Sequence, residues 1–425
     1  MARQSLAIPL LAALLCVSAT AEARTGPCIL GKPHSPRCRI WYGKVTFVGD
    51  GDTLNVRLDG MKKKAFGPRV RVTGIQAMEE YVYTPDRKRR RGECHANEAT
   101  ARLEDLVKLS KGRVQLVAQH ASSRSGRRLR RQVRVKIYHR WRDAGRILMA
   151  EGHALPLGNR REWALNTSYR RLAQRAAARH LRIWNPRYCG AGPAQFARLR
   201  VWVNSDPPGR QANGEWARIK NLDRARSVAI GRWWLRDSGL RRYTFRAGTT
   251  VPAGGSVTLH VGRGTNSATE LFWGLRQGIF DNEGKHGKGD GAYLFDPQGD
   301  LRAWMMYPCA YQCTDPYKHD VRVSVHPSGH EYASVKNVSR RTIDLEGYRL
   351  TAGAYGYPFP AGTVLQPGDV LRVDVKGDPA DDQPLRKYWG LDNFILLNDG
   401  GAARVSTYND IVLACRAWGT GSCSR

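Results

Sequence analysis

The sequence predicts a multidomain chain. An α+β unit, a small barrel with helices packed beside it, comes first, and two all-β sandwiches follow. Three observations predict this. Strand-like alternation fills residues 39–75, and helical periodicity begins only after it. Beyond Cys189-Gly190-Ala191-Gly192-Pro193 that helical periodicity vanishes. The second half then repeats itself at a fixed offset of 116 residues. A chain of 425 residues is also too long for one ordinary domain. The expected divisions are an export signal over 1–23, the α+β unit over 24–192, one sandwich over 193–316 and a degenerate one over 317–425.

In the first unit the apolar residues alternate as Ile40 and Tyr42, Val45 and Phe47, Leu54, Val56 and Leu58, then Val70 and Val72. Glycines at 43, 49, 51, 60 and 74 punctuate these runs. After the basic loop Arg87-Lys88-Arg89-Arg90-Arg91, residues 98–108 place Ala99, Leu103, Leu106 and Val107 at helical spacing. Runs 114–117 and 133–137 return to strand. Residues 147–152 read as a short helix, and 169–180 as a longer one burying Leu172, Ala173 and Ala176. Strands first with helices inserted late suit a small closed barrel of the OB type.

The repeat runs through four blocks. Glu215-Trp216-Ala217-Arg218-Ile219-Lys220-Asn221 returns as Glu331-Tyr332-Ala333-Ser334-Val335-Lys336-Asn337. Gly231 returns as Gly347, Trp273-Gly274-Leu275 as Trp389-Gly390-Leu391, and Asn282 as Asn398. Copies of about 110 residues are too long for a solenoid unit and suit two sandwich domains.

The formal charge of +32 is uneven. Residues 24–192 hold 38 Lys and Arg against 13 Asp and Glu, and the 233 residues after them hold 30 against 23. Such a field favours a polyanion, with association that weakens as salt rises. Arg3, the apolar stretch Leu6 to Val17 and Ala21-Glu22-Ala23 read as a secretory signal cleaved near Ala23. The expected location is therefore extracytoplasmic or secreted, and no run is long enough for a transmembrane segment. Eight cysteines remain: Cys28, Cys38, Cys94, Cys189, Cys309, Cys313, Cys415 and Cys423. An even number in an exported chain argues disulfides. The near pairs 28/38, 309/313 and 415/423 are favoured, which leaves Cys94 for Cys189. Zinc knuckles would need paired C-x-x-C motifs, and the chain has none.

Asp50-Gly51-Asp52-Thr53 lies between two strand-like runs. Arg71 and Glu79 follow eight residues apart, and Gly126-Arg127 comes about fifty residues later. This order resembles the staphylococcal nuclease family. The resemblance implies hydrolysis of DNA or RNA phosphodiesters with a divalent metal, calcium in particular. It implies Asp52 as a hard oxygen ligand, Glu79 as the base that activates water, and Arg71 and Arg127 on the phosphate. Arg124, Arg128, Arg89 and Arg90 are further candidates for contacting nucleic acid. Two positions depart from the family. Gln76 stands where an acid usually supplies a second metal ligand, so the metal site would rest on Asp52, Gln76 and Asp50. Ser123-Arg124-Ser125 replaces a segment that usually holds a tyrosine.

Residues 195–308 resemble the lamin tail domain of secreted bacterial proteins. The carriers are Glu215 to Asn221, Gly231 to Asp237, Tyr243-Thr244-Phe245 and Asp290-Gly291-Ala292-Tyr293-Leu294-Phe295-Asp296. This resemblance implies an immunoglobulin-like sandwich. Residues 320–414 resemble it more weakly. Trp233, Trp234 and Trp273 read as core. The clusters Asp290/Asp296/Asp300 and Asp281-Asn282-Glu283 read as turns, with calcium loops as the alternative.

Three functions remain open. The first is a secreted nuclease held in place by its sandwiches. The second is a non-catalytic envelope protein that captures nucleic acid or an anionic polymer. The third makes the sandwiches the functional part, binding a cell-wall or surface component. The sequence leaves the oligomeric state open.

Overall fold

The computed structural model describes residues 23–81, 92–185, 197–205, 212, 214–281 and 286–424. The export signal, Arg89, Arg90, Cys189 and Asn282 lie outside them. In the first unit the strands are β1 (Arg24–Pro27), β2 (Arg37–Asp50), β3 (Thr53–Leu58), β4 (Arg69–Val72), β5 (Ile75–Ala77), β6 (Arg113–Ala118), β7 (Arg124–Ser125), β8 (Arg128–Ile137), β9 (Arg140–Asp143) and β10 (Ala154–Pro156). The helices are α1 (Ala96–Leu109), α2 (Ala144–Glu151) and α3 (Asn166–Ala178). Pairing runs β2–β3–β4–β8–β6 and returns from β6 to β2. Every step is antiparallel except β4–β8.

The predicted alternation is what fills this unit. Leu54, Val56, Val70, Leu116, Val133 and Val135 are buried, and α1 adds Leu103 and Leu106. Asp143 caps α2 by accepting from the Arg146 amide and also takes the Tyr169 hydroxyl at 2.8 Å. Gly51 is required by close approach: a Cβ there would lie 2.8 Å from both Ala77 Cβ and Ala99 Cβ. Gly74 has φ +82, and a Cβ there would meet the Tyr169 ring at 2.7 Å.

The second half forms two copies of one topology. Strands 199–204, 216–221, 256–260 and 270–272 make one sheet, faced by 242–244, 234–236, 290–295 and 301–307. The same orders recur as 321–326, 332–337, 370–374, 386–388 and as 355–358, 348–352, 400–407, 412–419. In each copy the fourth strand of the first sheet is parallel to its neighbour. The repeated heptapeptide explains itself at its two ends. Glu215 accepts the amides of Ile279 and Phe280, and Glu331 accepts those of Ile395 and Leu396. Asn221 donates to the carbonyls of Arg226 and Pro252, and Asn337 to those of Arg341 and Leu365. Both asparagines are fully buried, and each ties two backbone carbonyls to the end of its strand.

The first unit and the first sandwich share a core. Trp184, fully buried, meets Trp304 edge-on at 5.3 Å, and Trp234, Tyr293 and Phe295 join the same apolar cluster as Leu54 and Val133. Around it, Trp163 stacks on His286 at 4.0 Å, Arg170 donates to the Gly287 carbonyl, and Gln174 donates to that of Pro308. Disulfides join Cys28 to Cys38, Cys309 to Cys313 and Cys415 to Cys423. Cys94 is also disulfide-bonded. Among the described residues no helix is long and apolar enough to cross a membrane.

Candidate functional site

The hairpin β2–β3 presents Asp50 and Asp52 at its tip. Asp50 Oδ1 accepts the Asp52 amide at 3.0 Å, which closes the turn. Asp52 points inward and is buried. Its Oδ1 pairs with Arg71 Nη1 at 2.6 Å and takes the Thr53 hydroxyl at 3.0 Å. Its Oδ2 accepts the Ala77 amide at 2.8 Å. Arg71 also donates from Nη2 to Gln76 Oε1. Gln76 Nε2 in turn donates to Glu79 Oε1 at 2.7 Å and to the Ala77 carbonyl. Asp52, Arg71, Gln76 and Glu79 therefore meet through the turn before β3, strands β4 and β5, and the loop after β5.

Burial pushes the Asp52 carboxyl upward, against the pull of Arg71. Burial also raises Glu79, with Glu93 adding to it and Arg71 and Arg236 opposing it. The donor set does not suit a divalent cation in this arrangement. Calcium takes six to eight oxygens, yet both Asp52 oxygens are engaged and a guanidinium bridges Asp52 to Gln76. Among the described residues no cluster of three or more His, Cys, Asp or Glu is arranged to hold a metal ion.

Arg71 and Gln76 form part of the wall of a cavity of about 520 Å³. Arg124, Arg128 and Arg130 line it beside them, with Arg160 further round. Arg128 Nη1 donates to Thr53 Oγ1 at 3.1 Å, and burial beside Arg71 lowers its proton affinity. Arg127 lies elsewhere. Ser125 pairs with Arg128, so Gly126 and Arg127 form the two-residue tip of the β7–β8 hairpin, where Arg127 is exposed and outside the cavity wall. The second wall comes from the first sandwich: Asp237, Leu240, Arg241, Asp281, Lys288 and Asp290.

The sandwich also reaches beneath the Glu79 loop. Arg236 pairs with Glu93 at 3.2 Å, both side chains being fully buried, and Glu93 Oε2 accepts the Glu79 amide at 2.8 Å. The Glu93 amide returns a bond to the Glu79 carbonyl, and the Cys94 amide donates to that of Gly299. Sequence reading missed Arg236, Glu93 and Arg130, because nothing local marks a partner 143 residues away.

Of the acidic clusters, Asp296 and Asp300 lie between strands 290–295 and 301–307, Asp290 begins the first of these strands, and Asn282 and Glu283 lie outside the described residues. Asp296 accepts the amides of Gln298 and Asp300 and pairs with Arg302. Asp290 accepts those of Ser238 and Gly291. Trp233 and Trp234 are core, and Trp273 packs against it.

Residues 199–309 match the Lamin Tail Domain. The chain thus carries one such domain, which supplies Arg236 from its strand 234–236 and the second wall of the cavity mainly from its loops. No curated protein matches the chain.

Proposed function

We propose that this protein is an extracytoplasmic binder of nucleic acid or a similar anionic polymer, which it holds in the arginine-lined cavity. The observation that carries this reading is the convergence of Arg71, Arg124, Arg128 and Arg130 on one cavity wall. Guanidinium groups match pairs of phosphate oxygens, and the excess positive charge of residues 24–192 draws a polyanion toward them. The returning pairing of β2–β3–β4–β8–β6 supports an OB-type, nuclease-like unit here, an architecture suited to such ligands. The second sandwich, with the topology of the first, is read as a degenerate lamin-tail-like domain, and the pair holds the binder against a surface component.

Phosphodiester hydrolysis is the second reading. Glu79 favours it, as a half-buried carboxylate of raised proton affinity near Arg71. Arg71 is committed to Asp52 and Gln76, so catalysis would require it to exchange them for phosphate.

The test is titration of a labelled 12-nucleotide strand at several salt concentrations, beside incubation with DNA and RNA in calcium, magnesium, manganese and chelator. Salt-sensitive binding without cleavage is the expected result. Cleavage that Glu79→Gln abolishes would establish the hydrolase instead, and no binding at low salt would overturn both readings.

A further inference from the structure

We infer that the Lamin Tail Domain makes the cavity selective for single-stranded nucleic acid, because its wall leaves room for one or two nucleotides and none for a duplex. This rests on the binding reading above and adds a substrate class to it.

Size is the first argument. A volume of 520 Å³ equals a cube about 8 Å on a side. That lies within the ~300–1,000 Å³ range of pockets that enclose a small organic ligand. The major groove of a duplex alone is about 12 Å wide. A single strand can splay a nucleotide into such a space, with its phosphate on a basic wall.

Charge is the second argument. Arg71, Arg124, Arg128 and Arg130 stand on one side; on the other, Asp237 is paired with Arg241 and Asp281 with Lys288, and Asp290 stands beside them. Phosphates of one strand fit the first wall. A second backbone laid along the opposite wall would find both of that wall's cations already committed to carboxylates.

Rigidity is the third argument. The sandwich wall is fixed to the basic one by the buried Arg236–Glu93 pair, the Trp163–His286 stack and the bond from Arg170 to Gly287. Opening it would expose the shared core around Trp184, so the wall stays in place when a ligand arrives.

The experiment uses the full mature chain and three labelled or competing probes: the 12-nucleotide strand, a dumbbell duplex closed at both ends, and a 5′-phosphorylated dinucleotide. The strand should bind at least tenfold tighter than the dumbbell, and the dinucleotide should displace it. Leu240→Trp, which fills the cavity from the sandwich side, should cost the strand at least tenfold in affinity with an unchanged melting temperature. Arg128→Ala, on the opposite wall, should also weaken the strand and keeps the test open if Leu240→Trp fails to fold. Equal affinity for strand and dumbbell, or a strand indifferent to a folded Leu240→Trp, overturns the inference and leaves the binding reading standing. Absence of binding to every probe overturns the binding reading itself.

Discussion

Arg236 of the Lamin Tail Domain holds Glu93 of the first unit in an ion pair sealed from solvent on both sides. Glu93 in turn holds the main chain of Glu79. A buried pair of this kind is worth little against an apolar replacement, but breaking it strands a charge. Arg236→Met alone should therefore destabilise the chain by about 3–5 kcal/mol. Arg236→Met combined with Glu93→Met should recover most of that loss. A double-mutant cycle in urea checks this, and additive losses would mean that the two residues are not coupled.

Arg128 and Arg127 are neighbours with different fates. Arg128→Ala should weaken binding of a single strand and lower the slope of log K against log salt by about 0.7, the share of one phosphate contact. Arg127→Ala, at the exposed hairpin tip, should change both quantities less. Titrations of the two variants at four salt concentrations decide between them, and the reverse order would restore Arg127 to the site.

His95 and His153 form a buried pair, Nε2 to Nδ1 at 2.9 Å. Burial holds His95 down to about 4 and His153 to about 3, with the positive neighbours Arg182 and Arg102 adding to the depression of His153. A histidine depressed in the folded state stabilises above its unfolded value of 6.5 and loses that contribution as pH falls toward the folded value. Stability should therefore drop between pH 6.5 and about 4, and His153→Phe should flatten that limb. Melting temperatures across this range test it, and an unchanged acid limb in the variant would dismiss the pair as its source.

Asn221 and Asn337 do the same work in the two sandwiches. Each replaced by alanine loses the two side-chain hydrogen bonds it makes to the backbone, so each substitution should cost about 1–3 kcal/mol. Equilibrium unfolding of the two variants measures it, and a neutral Asn337→Ala would show that the second copy does not depend on this pin.

Glu215 and Glu331 occupy equivalent places, yet burial and its acidic neighbours Asp290 and Asp281 push Glu215 up to about 7. A carboxyl raised in the folded state contributes stability below its unfolded value near 4.5 and loses it as pH rises through about 7. Glu215→Gln should remove that slope between pH 4.5 and 7. Urea midpoints at pH 5 and pH 7 measure it; an identical difference in the variant would clear Glu215.

Much of the architecture was legible in the sequence because it rests on local or periodic signals. Alternation of Leu54, Val56, Val70 and Val72 follows from the two-residue period of a strand, and Leu103 and Leu106 follow from helical spacing. The repeat of Glu215-to-Asn221 as Glu331-to-Asn337 was visible as text, and the near cysteine pairs followed from their separation. That Asp52, Arg71, Gln76 and Glu79 share one site was implied by the family resemblance their order carries, but not how they bond to one another.

Three things were decided by tertiary structure alone. The two-residue hairpin after Ser125 put Arg128 on the cavity wall and Arg127 at the exposed tip, because a tip residue projects from the sheet while its successor enters a paired strand. Burial made Asp52 and Gln76 close on Arg71, since a guanidinium sealed from water must find its acceptors nearby. The sandwich became a wall of the site through Asp237, Leu240 and Asp290, placed there by a shared core whose contacts span more than a hundred residues. Local sequence encodes which face a residue prefers; it does not encode which distant element that face will meet, because that is settled only when the apolar surfaces of the whole chain are buried together.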